Sequence, residues 1–178
     1  KDVPVIGMNG FSKTYLMTGW RLGYMYFHDL DDKLKTLREC VEKETRIRLC
    51  ANTPVQKAGV AALKGPQGHI AETVKKLQER RDYSWRRLNE IEGVSCTKPE
   101  GAFYVFPNFS HYYGKTYQGK KITNSTALAD YFLDVAKVAL VPGVEFGADP
   151  FERLSYATSM DDIREGIDRI EGALKNLG

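Results

Sequence analysis

Lys13 and Arg21 carry the chemistry this sequence displays most openly. They stand eight positions apart in Gly10-Phe11-Ser12-Lys13-Thr14-Tyr15-Leu16-Met17-Thr18-Gly19-Trp20-Arg21-Leu22-Gly23-Tyr24, with Thr18-Gly19 as a turn between them. A primary amine adds to a carbonyl carbon once desolvation or neighbouring positive charge favours its neutral form. A guanidinium is a planar fork that binds a phosphate through two parallel hydrogen bonds. Together they suit a ligand carrying both a carbonyl and a phosphate. Spacing alone does not separate this pair from a surface lysine and a surface arginine, so the surrounding elements have to be read with it.

Residues 3–8 and 20–27 read as strands, which puts Lys13 in a turn or just past a strand end, where α/β proteins place their chemistry. Residues 31–48 have mostly helical spacing. Asn52-Thr53-Pro54 reads as the start of an Ala-rich helix over 55–63, stopped by Gly65-Pro66-Gln67-Gly68. A long amphipathic helix follows over 69–91. Residues 94–97 and 101–106 read as strands, and 108–124 as a polar loop with Tyr112, Tyr113 and Tyr117 as surface aromatics. Ser125 starts another helix, reaching about Ala136, with a usable N-cap. Strands at 138–141 and 154–157 flank Pro142-Gly143-Val144-Glu145-Phe146-Gly147. A helix over 160–177 closes the chain, capped by Ser159 with Asp161 and Asp162 in its first turn. The fold class is α/β, with domains expected at 1–67 and 68–178. The first of these, with two strands, is a weak domain by itself.

The string around Lys13 resembles the active-site segment of class I aminotransferases, which are fold type I enzymes dependent on pyridoxal phosphate, an aldehyde bearing a phosphate ester. Three further motifs stand in family order: Gly101-Ala102-Phe103-Tyr104-Val105-Phe106-Pro107, Val141-Pro142-Gly143-Val144-Glu145-Phe146-Gly147 and Arg153-Leu154-Ser155-Tyr156-Ala157-Thr158-Ser159. The resemblance spans essentially the whole chain and is strongest to prokaryotic aspartate and alanine aminotransferases. It implies the C-terminal part of a fold type I transferase: the end of the large cofactor domain's sheet, then the small α/β domain. Lys13 then matches the lysine that forms a Schiff base with the cofactor, and Arg21 the arginine that binds its phosphate, with Ser12 beside them. Arg153 matches the arginine that forks the substrate α-carboxylate. Phe103 falls where the family lines the substrate pocket, and Asn52 and Thr53 where a segment approaches the partner subunit's site. The implied ligands are an amino acid and a 2-oxo acid, and the implied assembly is a homodimer in the cytoplasm.

Two departures qualify this. Gly10 stands where many relatives have a serine that assists phosphate binding. The family's acidic partner for the pyridine nitrogen, its cofactor tyrosine, its stacking aromatic and its glycine-rich phosphate loop all precede the lysine. Here the only carboxylate before Lys13 is Asp2, which does not match. The chain is therefore expected to be the C-terminal half of an aminotransferase, inactive alone. A same-fold lyase, a cyclopropane-forming synthase or a non-catalytic relative would carry similar motifs, and the amino-acid donor is not specified.

The bulk features agree with a small-molecule enzyme. Of 178 residues, 42% are hydrophobic and 28% charged, with a formal charge of +3, too weak a bias for nucleic acid. Arg80, Arg81, Arg86 and Arg87 alternate with Glu79, Asp82 and Glu90 and read as a solvated helix face. Arg46 and Arg48 read as salt-bridge residues that in some relatives would reach a substrate carboxylate. No apolar run approaches the roughly 20 residues of a membrane span. Cys40, Cys50 and Cys96 lack metal spacing and suit a reducing compartment. His28, His69 and His111 are scattered, so no metal site is expected.

Overall fold

A computed structural model gives the fold of residues 3–47 and 49–178. Arg48 and Asp2 lie outside the described residues. The chain forms two compact units, Lys1–Glu72 and Thr73–Gly178.

In the first unit, strands β1 (Val5–Gly10) and β2 (Gly23–His28) pair antiparallel from Val5↔His28 to Gly10↔Gly23. At Gly7 a Cβ would overlap the Tyr26 ring of the facing strand, so glycine lets that ring lie across the hairpin. The second strand starts later than residue 20 because Thr18–Trp20 form a 3-10 turn and Arg21 takes a left-handed backbone (φ 53°). Helix α1 (Lys35–Ile47) follows a turn in which the Asp29 carboxylate accepts the Lys33 and Leu34 amides. Arg46, in its last turn, makes no ion pair among the described residues. Helix α2 (Thr53–Lys64) begins at Asn52 with Pro54 in its first turn, where a missing N–H costs nothing. Its Gly59 is buried, and a side chain there would press on Leu22 and Phe11. Among the described residues of this unit only Phe11, Met17 and Gly59 are buried.

The second unit holds a much larger core. Helix α3 (Gly68–Glu90) has its body here and buries Ser84 and Leu88. Helix α5 (Met160–Leu174) buries Ile163, Ile167, Ile170 and Leu174, one helical stripe. The Ser159 hydroxyl accepts the Asp162 amide at 3.0 Å, the expected cap. Arg87 donates to Glu90 (3.1 Å) on its own helix and to Asp168 (3.0 Å) and Glu171 (2.9 Å) on α5. It is therefore a tie between helices rather than part of a solvated face. Arg81 is likewise engaged, with Asp82 at 2.8 Å.

The sheet of this unit is shorter than the apolar runs suggest. Strands β3 (Tyr104–Val105), β6 (Val141–Pro142) and β7 (Glu152–Ser155) are ordered β3-β7-β6, all antiparallel. The strand expected over 94–97 reduces to a single bridge, Ser95↔Asn108. Its Cys96 backbone is taken up by α3 instead: the Asn89 side chain bonds both its amide and its carbonyl, and the Trp85 indole N–H donates to the same carbonyl. The 101–106 run is bent by Ala102 (φ 61°) and ends at Pro107, which has no amide to extend a ladder. The 138–141 run is shortened because Lys137 is left-handed and the Val138 amide still bonds the Phe132 carbonyl of the preceding helix.

That helix is α4 (Ser125–Tyr131), continuing as a π-helical turn over Phe132–Ala136. Its cap is Asn124, whose side chain accepts the Ala127 amide at 2.8 Å. Ser125 is the first helical residue, and its buried hydroxyl bonds Asp149 at 3.0 Å. The supposed loop at 108–124 contains a hairpin, β4 (Thr116–Tyr117) with β5 (Lys120–Lys121), turned by Gln118 and Gly119, both at positive φ. Its tyrosines are not surface residues. Tyr112 is buried, and Tyr113 and Tyr117 pack against the core.

Glu152 is fully buried, and neither carboxyl oxygen has a hydrogen-bond partner. Burial first, and the nearby Asp149 second, push its pKa up to about 8. A folded-state value above the ordinary carboxyl range stabilises the fold fully at acidic pH, and that contribution is lost as pH rises through about 8. Urea unfolding should therefore show the second unit weaker at pH 9 than at pH 6.5. Glu152→Gln should flatten that dependence, and an unchanged slope would refute the account. Separately, Arg87→Ala should cost about 1–2 kcal/mol. The loss should shrink in high salt, read as a shift in the urea midpoint.

Candidate functional site

The Lys13 segment is a loop held shut at its base. The Phe11 amide donates to the Leu22 carbonyl at 3.2 Å, one step beyond the last strand pair Gly10↔Gly23. Inside the loop, the Phe11 carbonyl accepts both the Tyr15 amide (3.2 Å) and the Met17 amide (3.4 Å), and the Leu16 amide returns to the Lys13 carbonyl (3.3 Å). Phe11 and Met17 are buried, and the Phe11 ring lies 5.4 Å from Tyr15 and 5.7 Å from Tyr24. Two apolar anchors thus fold the chain inward on either side of Lys13, which sits exposed in the turn with Ser12 half-buried beside it.

Arg21 closes the same loop. Its left-handed backbone is uncommon outside glycine, and outliers of this kind gather at ligand sites. One guanidinium nitrogen donates to the Thr18 carbonyl at 3.1 Å, and no carboxylate pairs with it among the described residues. Ser12, Lys13 and Arg21 are therefore brought onto one loop. Asn52 and Thr53 lie in the same unit, exposed at the start of α2. The Asn52 side chain makes no capping bond, and its carbonyl accepts the Gln56 amide.

In the second unit Arg153 lies on β7 and Phe103 just before β3. Alternation along β7 sends Glu152 and Leu154 into the core and Arg153 and Ser155 to the other face. Tyr104 pairs with Ser155, so it is the diagonal neighbour of Arg153 on that face. The Arg153 guanidinium carbon lies 4.5 Å from the Tyr104 ring centroid and 4.6 Å from that of Phe146. Phe103 precedes β3. Its carbonyl accepts the Tyr156 amide (3.0 Å), and its ring lies 4.5 Å from Tyr104. No hydrogen bond or ion pair engages the Arg153 guanidinium among the described residues.

Phe146 is delivered by the 142–147 motif. Gly143–Phe146 form a 3-10 turn that starts after Pro142 and ends at left-handed Gly147. A Cβ on Gly143 would overlap the Ala148 and Phe151 carbonyl oxygens, and the Gly143 amide bonds the latter at 2.7 Å. Only glycine permits this approach. No local pattern marks Tyr104, Phe146 or Glu152 as functional. The first two stand in the 101–107 and 141–147 motifs, but their approach to Arg153 depends on tertiary pairing, which no local pattern reports.

Residues 1–170 match the family model described as "Aminotransferase class I and II". The aspartate aminotransferase of Rhizobium meliloti (strain 1021) is 40% identical over 171 residues, covering 96% of this chain and 40% of the relative. That of Pinus pinaster is 44% identical over 171 residues, covering 94% of this chain and 34% of the relative. Among solved structures, the alanine aminotransferase from Pyrococcus furiosus superposes with a TM-score of 0.87 at 45% identity, over 98% of this chain and 43% of that one. The aspartate aminotransferase of Rhizobium meliloti gives 0.87 at 38% identity, over 97% and 42%. The chain thus spans about two fifths of the length of the curated relatives it matches. No helix among the described residues is long and apolar enough to cross a membrane. With its four motifs in family order and its matched span nearly complete, the chain belongs to the class I and II aminotransferase family and has the α/β architecture of fold type I pyridoxal-phosphate enzymes.

Proposed function

We propose that this chain supplies the cofactor lysine, the phosphate arginine and the substrate-carboxylate arginine of an enzyme that moves an amino group between an amino acid, aspartate or alanine, and a 2-oxo acid. The observation that carries the reading is that Arg21 and Arg153 meet no carboxylate among the described residues, in a chain with 23 acidic residues. Both are left to bind ligand anions. The donor set fits pyridoxal phosphate: an exposed primary amine for the aldehyde, with a hydroxyl and a guanidinium on the same loop for the phosphate. When bound, that cofactor supplies an electron sink for the bond broken at the substrate Cα.

The chain's own groups divide the remaining work. Lys13 would hold the cofactor through its amine and would take the substrate Cα proton as general base. Arg21 and Ser12 hold the phosphate. Arg153 forks the α-carboxylate and so fixes which bond at Cα faces the reaction, while Phe103 lines the pocket. Residues 1–67 form the C-terminal part of the large domain and 68–178 the small domain. The many apolar residues exposed on β1 and β2, among them Val5, Met8, Tyr24 and Met25, support a hairpin belonging to a larger sheet. Asn52 and Thr53 approach the partner's site in a homodimer. Three free cysteines, two of them exposed, suit the cytoplasm.

The test uses a polypeptide of the relatives' full length. Lys13→Ala should lower transfer from aspartate or alanine to 2-oxoglutarate by at least about 10²–10⁴-fold. Borohydride reduction followed by peptide mapping should place the pyridoxyl group on Lys13. A reducible linkage on another lysine would refute the assignment, and release of ammonia without oxo-acid exchange would make the enzyme a lyase. Arg153→Lys should weaken amino-acid binding, with a rise in KM as the readout.

A further inference from the structure

We infer that Tyr104 and Phe146 are positioning residues that hold the Arg153 guanidinium by its π face and leave its in-plane N–H edge open to a carboxylate. The inference rests on the reading of Arg153 as the carboxylate fork and deepens it. The five N–H donors of a guanidinium lie in the plane of the group, and aromatic rings meet the face of that plane. The Arg153 carbon lies 4.5 Å from one ring centroid and 4.6 Å from the other. Two other arginines of this unit are fixed through their edges. Arg87 spends its donors on three carboxylates, and Arg81 on Asp82 and the Pro99 carbonyl. Arg153 alone, among these three, is held by rings with no edge contact.

Both rings are themselves fixed. Tyr104 is set by its ladder position opposite Ser155. Phe146 is 48% exposed and would otherwise swing, but it meets Phe106 edge-on at 6.0 Å, and Phe106 stacks on Phe151 at 4.9 Å. The Gly143 turn supplies the approach direction. A free arginine loses rotamer freedom when it binds. One already held against two rings has lost part of it on folding, so the clamp acts on affinity for the carboxylate.

The experiment uses a polypeptide of the relatives' full length labelled with ¹⁵N, with the Arg153 Nε–Hε resonance assigned by its loss in Arg153→Lys and 2-oxoglutarate as the probe. In the wild type that resonance should be shifted upfield by ring currents and should move on titration. Tyr104→Leu and Phe146→Leu should each return it toward the position of a solvated arginine and weaken the probe by roughly 3- to 30-fold. Tyr104→Phe keeps the ring face and should behave as wild type, which a merely structural role for the phenol would not give. Unchanged resonance and affinity in both leucine variants, with binding lost in Arg153→Lys, would overturn the clamp alone. Unchanged affinity in Arg153→Lys, or no titration of the wild type, would remove the carboxylate reading and the inference with it.

Discussion

The alternation of β7 is the constraint on which the second unit depends. Four residues in the middle strand of a three-stranded sheet send Glu152 and Leu154 into the core and Arg153 and Ser155 to the opposite face. A slip of one residue would bury a guanidinium and expose Leu154, at a cost of several kcal/mol. The pairings Val141↔Arg153 and Tyr104↔Ser155 hold the register from both sides. Backbone bonds outside the ladder reinforce it, with the Glu152 amide on the Pro107 carbonyl at 3.0 Å and the Tyr156 amide on Phe103 at 3.0 Å. So short a sheet is firm because α3 and α5 bury their apolar stripes in the same core.

In the first unit the corresponding constraint is the closed base of the 11–22 loop. A two-stranded hairpin is marginal in water, and this one has only Phe11 and Met17 as buried side chains, with Gly59 of α2 drawn close to Phe11 and Leu22. The loop these contacts shut carries Lys13 exposed in its turn and ends at Arg21, whose backbone is left-handed. Closure of the loop thus places the lysine and the arginine, eight apart in sequence, on one short segment.

Elements whose signal is local were legible in the sequence. Ser159 caps α5, Pro54 opens α2, and the 163, 167, 170, 174 stripe faces the core as its period requires. Lys13, Arg21 and Arg153 were singled out only by motif strings, since no periodicity marks them. What failed is what tertiary contacts decide. The 94–97 run lost its strand to the Asn89 and Trp85 side chains, and of the loop tyrosines Tyr112 was buried while Tyr113 and Tyr117 packed against the core. In each case a side chain distant in sequence competed for a group that local rules had already assigned.

The pairing of Glu152 with Arg153 along the chain carries the last step. A carboxyl one residue from a guanidinium is the obvious candidate to neutralise it, which would leave nothing for a ligand. Alternation prevents the meeting, because the two side chains leave the strand on opposite faces. Burial then removes the charge itself, since a carboxyl with a pKa pushed up to about 8 is mostly neutral at physiological pH. The nearest acid in sequence therefore neither bonds Arg153 nor offsets its field. A polar residue that looks misplaced in the core thus leaves the positive charge on the other face of the strand unopposed by its neighbour in sequence.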